Sequence, residues 1–559
     1  MVSKVFLLKL NNFLCIVLIL SFIIFTGKQL QAVNYKKSYF GSILSGQIAN
    51  YNNDSSISAD FFNYAHNINP KNKEVYKLSL MSLILSGDIE TAISTVKNYE
   101  KKFGKQTNET IISNFLIFIS EIKNNNFSKA LQHLNNSQSF LITEKMLPIL
   151  QAWLSPNLKQ AIVSLEKYEY KSEGLALSNF YYHHLALIQL YHNKKALSKN
   201  TFEEHLKTFD IEKLRTLYFY FNLFSKNNLD NIYISRFLEK YPDHSFSKYL
   251  KKDNNNIFTK LITPKKGISE ALYNLAYTLY SQNMYETSLA LAQTSLYIDP
   301  ENHLVKYLIS MNLKSLDKKM LAIEHMKNIP SNSYINWNVL INISELYIDL
   351  QQYSFALDYL HRLEKGYEEK TEIFYKLGEL YHIQKDYKNA TKYFSEAISS
   401  LKVVENRHWY LYYSRGMAYE RSNKWNLAEK DFLYSIELSP EQPLTLNYLG
   451  YSWIDSGKNI DAAKDLISKA VKLRPDDGYF VDSLGWAYYR MGEYEKSVIE
   501  LEKAVSLVPN DPIINDHLGD AMWRAGYKNE AVYQWNRALI YKPDEELKEK
   551  IKFKLKKGL

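Results

Sequence analysis

Between Ala276 and Gly526 the chain repeats itself every 34 to 38 residues, and no other feature constrains its fold as strongly. In VDSLGWAYYRMGEYEKSVIELEKAV, residues 481 to 505, Gly485 stands inside a helical pattern, with Val481, Leu484 and Tyr488 at i, i+3 and i+7. A glycine inside a helix costs roughly 1 kcal/mol relative to alanine, so its presence needs a cause. A phosphate-cradling loop is excluded, because the pattern around Gly485 is helical and no Gly-Lys-Ser/Thr follows Gly492. Equivalent positions fall at Gly519, Gly450, Gly416, Gly378, Ser344, Ser310 and Ala276, all small. The expected cause is close helix packing.

Each unit carries the same internal grammar. Twelve residues beyond the small position comes a second small residue, as at Ala356, Ala390, Ala428, Ser497 and Ala531, and about seven further on a third, as at Ala397, Ala470, Ala504 and Ala538. Seven residues after the small position stand Asn283, Asn423, Gly457, Gly492 and Gly526, the two residue types that best tolerate a left-handed helix C-cap. Close to 24 residues after it stand Pro300, Pro440, Pro475, Pro509 and Pro543, each expected to end the second helix.

This grammar resembles the tetratricopeptide repeat, through Leu484, Gly485, Tyr488, Ala504 and Pro509 in one unit and Leu518, Gly519, Ala531, Trp535, Ala538 and Pro543 in the next. Ser497 and Met522 depart from the family's alanine and tyrosine. The resemblance implies an all-α chain, a right-handed α-solenoid of stacked helix-turn-helix repeats. Eight units are expected over 269–545, and N-terminal repeats over 35–138 from Gly46, Phe62, Ala65 and Pro70, then Leu80, Gly87 and Ala92, then Phe118, Asn125 and Ala130. Residues 139–268 read as degenerate helical repeats with helices near 180–192 and 214–225, the alternative being a helical insert, and KYLKKDNNNIFTK at 248–260 reads as a hinge. Residues 546–559 read as a capping helix, with Leu547, Ile551 and Leu555 beneath a lysine-rich solvating face.

The first 32 residues read as a signal peptide: Lys4 and Lys9, an apolar run from Phe13 to Phe25, and Ala32 before the expected cut. An uncleaved anchor, holding the repeats on the periplasmic side of the inner membrane, is the alternative. Cys15, the only cysteine, lies inside the run, which predicts export without lipidation and a mature chain with no disulfide. That suits the bacterial periplasm. The net charge is +9, and removing the leader's Lys4, Lys9 and Lys28 leaves 66 basic against 60 acidic residues, or +6, too weak and dispersed to favour nucleic acid. A helical-repeat RNA binder is therefore a distant alternative.

Enzyme motifs are missing: the sequence contains no His-Glu-x-x-His, no Cys-x-x-Cys and no Gly-x-Ser-x-Gly. His183 and His184 are adjacent, point about 100° apart on a helix and cannot share a ligand. Neither catalytic residues nor cofactor or metal sites are expected, and an enzyme or enzyme accessory stays as the alternative. The acid pairs Asp476-Asp477 and Glu545-Glu546 sit at unit junctions as caps and solvated turns.

Partner proteins or their peptides are the expected ligands. Opposite the buried stripe of each first helix runs a second one: Tyr410 and Tyr413, with Met417; Asn447 and Tyr451, with Ile454; Tyr479, Asp482, Trp486 and Tyr489; then Asp516, Asp520 and Trp523. The resemblance implies that this face lines a concave peptide-binding groove. The carboxylate-gripping lysine and asparagine of chaperone-type relatives are not supplied by stripe positions such as Tyr273 and Tyr277. The 443–545 block also looks like proteobacterial envelope repeat proteins, some of which present substrates to a processing protease; the lipid anchor of those relatives is absent here.

Overall fold

The computed structural model describes residues 38–104, 111–135, 146–167, 175–207, 213–225, 231–242, 244, 246–247, 250, 262–367 and 370–559. The leader, the expected cut after Ala32, Cys15 and all of the expected hinge except Leu250 lie outside them. Among the described residues there are helices and no strand. The chain divides into two compact units, Met1–Asn336 and Trp337–Leu559, so that the 269–545 array is shared between them.

The first unit contains helices α1 Tyr39–Tyr51, α2 Ser55–Ile68, α3 Lys73–Ser86, α4 Ile89–Phe103, α5 Ile111–Lys123, α6 Phe127–Asn135, α7 Leu147–Trp153 and α8 Leu158–Glu166. It continues with α9 Leu175–Tyr191, α10 Lys195–Leu206, α11 Leu214–Phe224, α12 Ile232–Lys240, α13 Pro264–Ser281, α14 Tyr285–Ile298, α15 His303–Ser315 and α16 Lys319–Lys327. The second unit contains α17 Asn336–Asp349, whose first residue is the last of the first unit, then α18 Tyr353–Gly366, α19 Thr371–Ile383, α20 Tyr387–Ser399, α21 Trp409–Arg421, α22 Trp425–Leu438 and α23 Pro443–Ser456. Helices α24 Ile460–Leu473, α25 Gly478–Arg490, α26 Tyr494–Leu507, α27 Pro512–Ala525, α28 Lys528–Ile540 and α29 Glu545–Lys557 complete it.

The small residue of each first helix is a contact point with the second. A Cβ built on Gly378, Gly416, Gly485 or Gly519 would stand 2.5 to 2.7 Å from Phe394, Phe432, Leu501 or Trp535, each sixteen residues later. Gly46 meets Phe62 at the same separation, at 2.8 Å. Space forces the glycine, and the helix accepts its conformational cost because the partner ring or branched chain fills the place of its Cβ.

The turn seven residues on is equally regular. Asn53, Gly87, Asn125, Asn193, Asn283, Asp317, Gln351, Lys385, Asn423, Gly457, Gly492 and Gly526 all have φ between 55° and 94°. Asp317, Gln351 and Lys385 are not residues that favour this region. Their geometry is fixed by the bond that closes the helix end: Lys318 N donates to Leu313 O (2.8 Å), Gln352 N to Tyr347 O (2.8 Å) and Asp386 N to Tyr381 O (2.9 Å). Asn193 brings residues 175–206 into the same register. There Ser198 Oγ donates to Ala186 O at 2.7 Å, as Ser288 does to Ala276 and Ser497 to Gly485.

Helix α14 is enclosed on every side. Residues 288 to 295 are all buried, because α3 and α5, first helices of the N-terminal repeats, pack against it. Lys123 Nζ donates to Tyr297 O (2.6 Å), Tyr297 OH donates to Glu90 (2.8 Å), and Gln293 fills the space above Gly87. A helix with no solvated stripe belongs in a core. In the first unit, then, the first helices of the second and third N-terminal repeats are covered by the chain's own helix.

Candidate functional site

The corresponding face of the second unit begins with tyrosines packed between first helices. Tyr410 meets Tyr375 edge-on at 4.8 Å, and Tyr413 lies 5.8 Å from Tyr448 and 6.1 Å from Phe432. Burial pushes the Tyr413 phenol up to about 12. Tyr451 is pushed equally far, by burial first and then by the carboxylates of Asp482 and Asp455. Tyr479 is the most open member of the stripe, 57% exposed.

One unit further on, four groups form a single stack. Asp482, buried, contacts His517 Nδ1 at 2.9 Å through Oδ1 and at 3.2 Å through Oδ2. The Trp486 indole lies flat between His517 (4.2 Å, 17°) and Tyr489 (4.6 Å, 10°). Burial alone would favour a neutral imidazole, but Asp482 outweighs it and raises the His517 pKa above its ordinary value.

In the last unit the stripe is already occupied. Asp516 and Asp520 are both buried, and Lys554 Nζ from α29 donates to Asp516 at 2.7 and 2.9 Å and to Asp520 at 2.7 Å. Asp520 also accepts from Trp535 Nε1 at 2.9 Å. Trp523 packs on Trp535 (5.3 Å), takes the Lys528 ammonium over its face (3.9 Å) and lies so close to Gly558 that a Cβ there would be 2.2 Å away. The α29 stripe of Leu547, Ile551 and Leu555 packs against the same core. The lysine-rich face of α29 is therefore not wholly solvating, since Lys554 turns inward with its side chain 14% exposed.

His517 and Lys554 are the residues that sequence reasoning missed. Lys554 follows Ile551 by three, which places it on the buried side of the helix, and His517 follows Asp482 by one repeat and one residue. Two polar atoms of the stripe are left over: Trp486 Nε1 and Asn447 Oδ1 are buried and have no hydrogen-bond partner. Other indoles are satisfied, Trp153 by His184 (3.0 Å), Trp453 by Glu429 (2.6 Å) and Trp535 by Asp520.

The irregular part of the first unit encloses a buried ion pair. Arg215 forks onto Glu270 at 2.7 and 2.6 Å, donates to Tyr334 OH at 3.2 Å, and stacks 4.5 Å from the Phe219 ring. Burial pushes Glu270 up, but Arg215 prevails and holds it well below the usual carboxylate range. His183 contacts Thr216 (3.2 Å) and Glu270 (3.5 Å), while His184 accepts from Trp153 and contacts Asn274 (3.3 Å), so the adjacent histidines serve different partners. A cavity of about 350 Å³ opens beside Arg215 and Glu270. Among the described residues no cluster of His, Cys, Asp or Glu could hold a metal ion, and no helix is long and apolar enough to cross a membrane.

Antiparallel helix pairs, with left-handed turns at fixed spacing over much of each unit, define an α-solenoid of helical-hairpin repeats. The tetratricopeptide repeat family profile matches residues 371–400 and 482–511. This chain carries tetratricopeptide repeats. A tetratricopeptide repeat-containing protein of Pseudomonas aeruginosa is 41% identical over 83 residues, which are 15% of this chain and 14% of that relative's own length. Among solved structures, the Cut9-Hcn1 hetero-tetramer of the APC/C is similar over 93% of this chain and 96% of that one (15% identity, TM-score 0.38). A tetratricopeptide repeat protein of Parabacteroides merdae is similar over 52% of this chain and 97% of that one (16%, 0.33). MamA of Desulfovibrio magneticus is similar over 33% and 97% respectively (20%, 0.28).

Proposed function

We propose that this protein is a non-catalytic scaffold or adaptor of the bacterial cell envelope, exported to the periplasm, whose second unit binds a partner protein segment along its first-helix stripe. The observation that carries this reading is the pair of unmade hydrogen bonds at Trp486 Nε1 and Asn447 Oδ1. A buried donor or acceptor without a partner costs about 1–3 kcal/mol. A partner segment whose docking displaced the side chains covering these atoms would complete both bonds. The first helices of the second and third N-terminal repeats are covered by α14 and the last unit by α29, whereas the stripe from Asn447 to Tyr489 has Tyr479 open to solvent. Export rests on Lys4, Lys9 and the apolar run Phe13–Phe25, and presentation of substrates to an envelope protease is the role we favour within that compartment.

Trp486→Phe tests the reading, because it keeps an aromatic ring between His517 and Tyr489 while deleting the indole N–H together with the five-membered ring that carries it. Partners captured from envelope extract would be identified by mass spectrometry with wild-type bait and then titrated against both proteins. The variant should keep the wild-type helix content and bind about fivefold more weakly, the worth of one net hydrogen bond. Equal affinity in Trp486→Phe, Asn447→Ala and Tyr479→Ala would remove the stripe from the binding surface.

A further inference from the structure

The two ends of the described chain are finished differently. At the C-terminal end α29 lays Ile551 into the core and turns Lys548, Lys550 and Lys552 outward, each paired with a glutamate of the same helix. At the other end α1, YFGSILSGQIANY, contains no charged residue. Its inner side is closed by Ser42, Gly46 and Ala49 against α2, and its outer side carries Phe40, Leu44, Ile48 and Tyr51, exposed by 80, 58, 54 and 89%. Those four fall within about 80° of arc, a single uninterrupted apolar stripe. In a stack of repeats, the outer side of a first helix is where a preceding unit would pack, and terminal units need a polar face to stay soluble.

We propose that the α1 stripe pairs with the α1 stripe of a second copy of this chain, in a two-fold contact that closes the molecule as a dimer. The stripe is uncharged and thus compatible with itself, as an isologous contact requires. Two largely exposed aromatics and two half-exposed aliphatics present on the order of 500 Å² per copy, so that complete burial would remove roughly 1,000 Å² in the pair, the lower bound for a specific interface. On α29 a single large apolar residue, Phe553, stands exposed among lysines, which makes no matching stripe, so association stops at two and does not continue into a filament.

Sedimentation velocity of the full chain should show a dimer that dissociates in the micromolar range. Phe40→Glu combined with Leu44→Lys should raise the dissociation constant at least 100-fold without lowering the melting temperature. A single cysteine at Leu44→Cys, in a Cys15→Ser background, should give an oxidised dimer, whereas Ile499→Cys, 65% exposed in the wild type, should not. Three outcomes would overturn the proposal. They are a wild-type monomer at 100 µM, a dimer indifferent to the double substitution, and a monomer whose stripe instead carries it onto phosphatidylglycerol vesicles or is covered by residues 1–37 of its own chain.

Discussion

Gly519 lies beneath the indole of Trp535 so closely that a Cβ at 519 would stand 2.5 Å from Cδ1 and Nε1. The indole cannot retreat, because its nitrogen is tied to Asp520 and the whole side chain is buried. Gly519→Val should therefore destabilise the second unit by about 1–3 kcal/mol through overpacking. Urea denaturation followed by tryptophan fluorescence would measure it. Unchanged unfolding would mean that the two helices are not held at this distance.

The packing of first helix on second was legible in the sequence because it is written in a conserved spacing within one chain: small residue, left-handed turn, small residue, proline. Asp317, Gln351 and Lys385 escaped because their left-handed turns are imposed by hydrogen bonding and packing, and residue type carries no mark of that. Residues 175–206 show no clear period, yet Ala186, Asn193 and Ser198 keep the spacings of seven and twelve. The docking of α14 left only a negative trace, the absence of charge between Glu286 and Asp299. Asp516 and Asp520 look like groove acids from sequence, since the lysine that covers them lies 34 to 38 residues later on another helix. Such long-range pairing has no local signature.

Lys554→Met should cost about 3 kcal/mol at neutral pH, because two carboxylates stay buried side by side with their cation gone. The deficit should depend on pH. Burial, and after it the charge of Asp516, raises Asp520 above the ordinary carboxylate pKa. The folded state thus holds that proton more tightly than the unfolded chain, a contribution fully present below the unfolded value of about 3.9 and lost as pH rises through the folded one. Equilibrium unfolding at pH 7.5, 6 and 5 should show the variant approaching wild type as acid is added. A deficit equal at every pH would refute the buried seat.

The Asp482–His517 contact gives the opposite kind of dependence from the histidines of the first unit. His517 is raised, so its contribution is complete below about pH 6.5 and fades as pH climbs through its folded pKa. Asp482→Asn should accordingly cost most near pH 6 and least near pH 9. In the first unit, burial holds His184 and His205 down at about 3. Their unfolded forms take up protons that the folded forms refuse, so each withdraws about 1.4 kcal/mol of stability per pH unit below about 6.5. Histidine C–H resonances followed from pH 9 to 4 would check both directions. A His517 resonance that titrates below 6.5 would contradict the charged pair.

The Arg215–Glu270 pair decides whether the irregular part of the first unit is held by charge or by shape. Glu270 is 4% exposed, and the Arg215 guanidinium is its principal counter-charge. Arg215→Met keeps much of the side-chain volume against Phe219 but strands the carboxylate, and should cost about 3–5 kcal/mol. Adding Glu270→Met removes the stranded charge, and most of that loss should return, since a buried ion pair replaced by packed apolar groups is often neutral. Glu270 alone, held far below its ordinary pKa, contributes stability that is present above about pH 4.3 and disappears as pH falls through the folded value. The double variant should therefore match wild type near pH 7 and lose less on acidification. If instead the double variant is no better than Arg215→Met, the bidentate geometry and the Tyr334 and His183 contacts around it are what hold this segment, and substitution by shape cannot replace them.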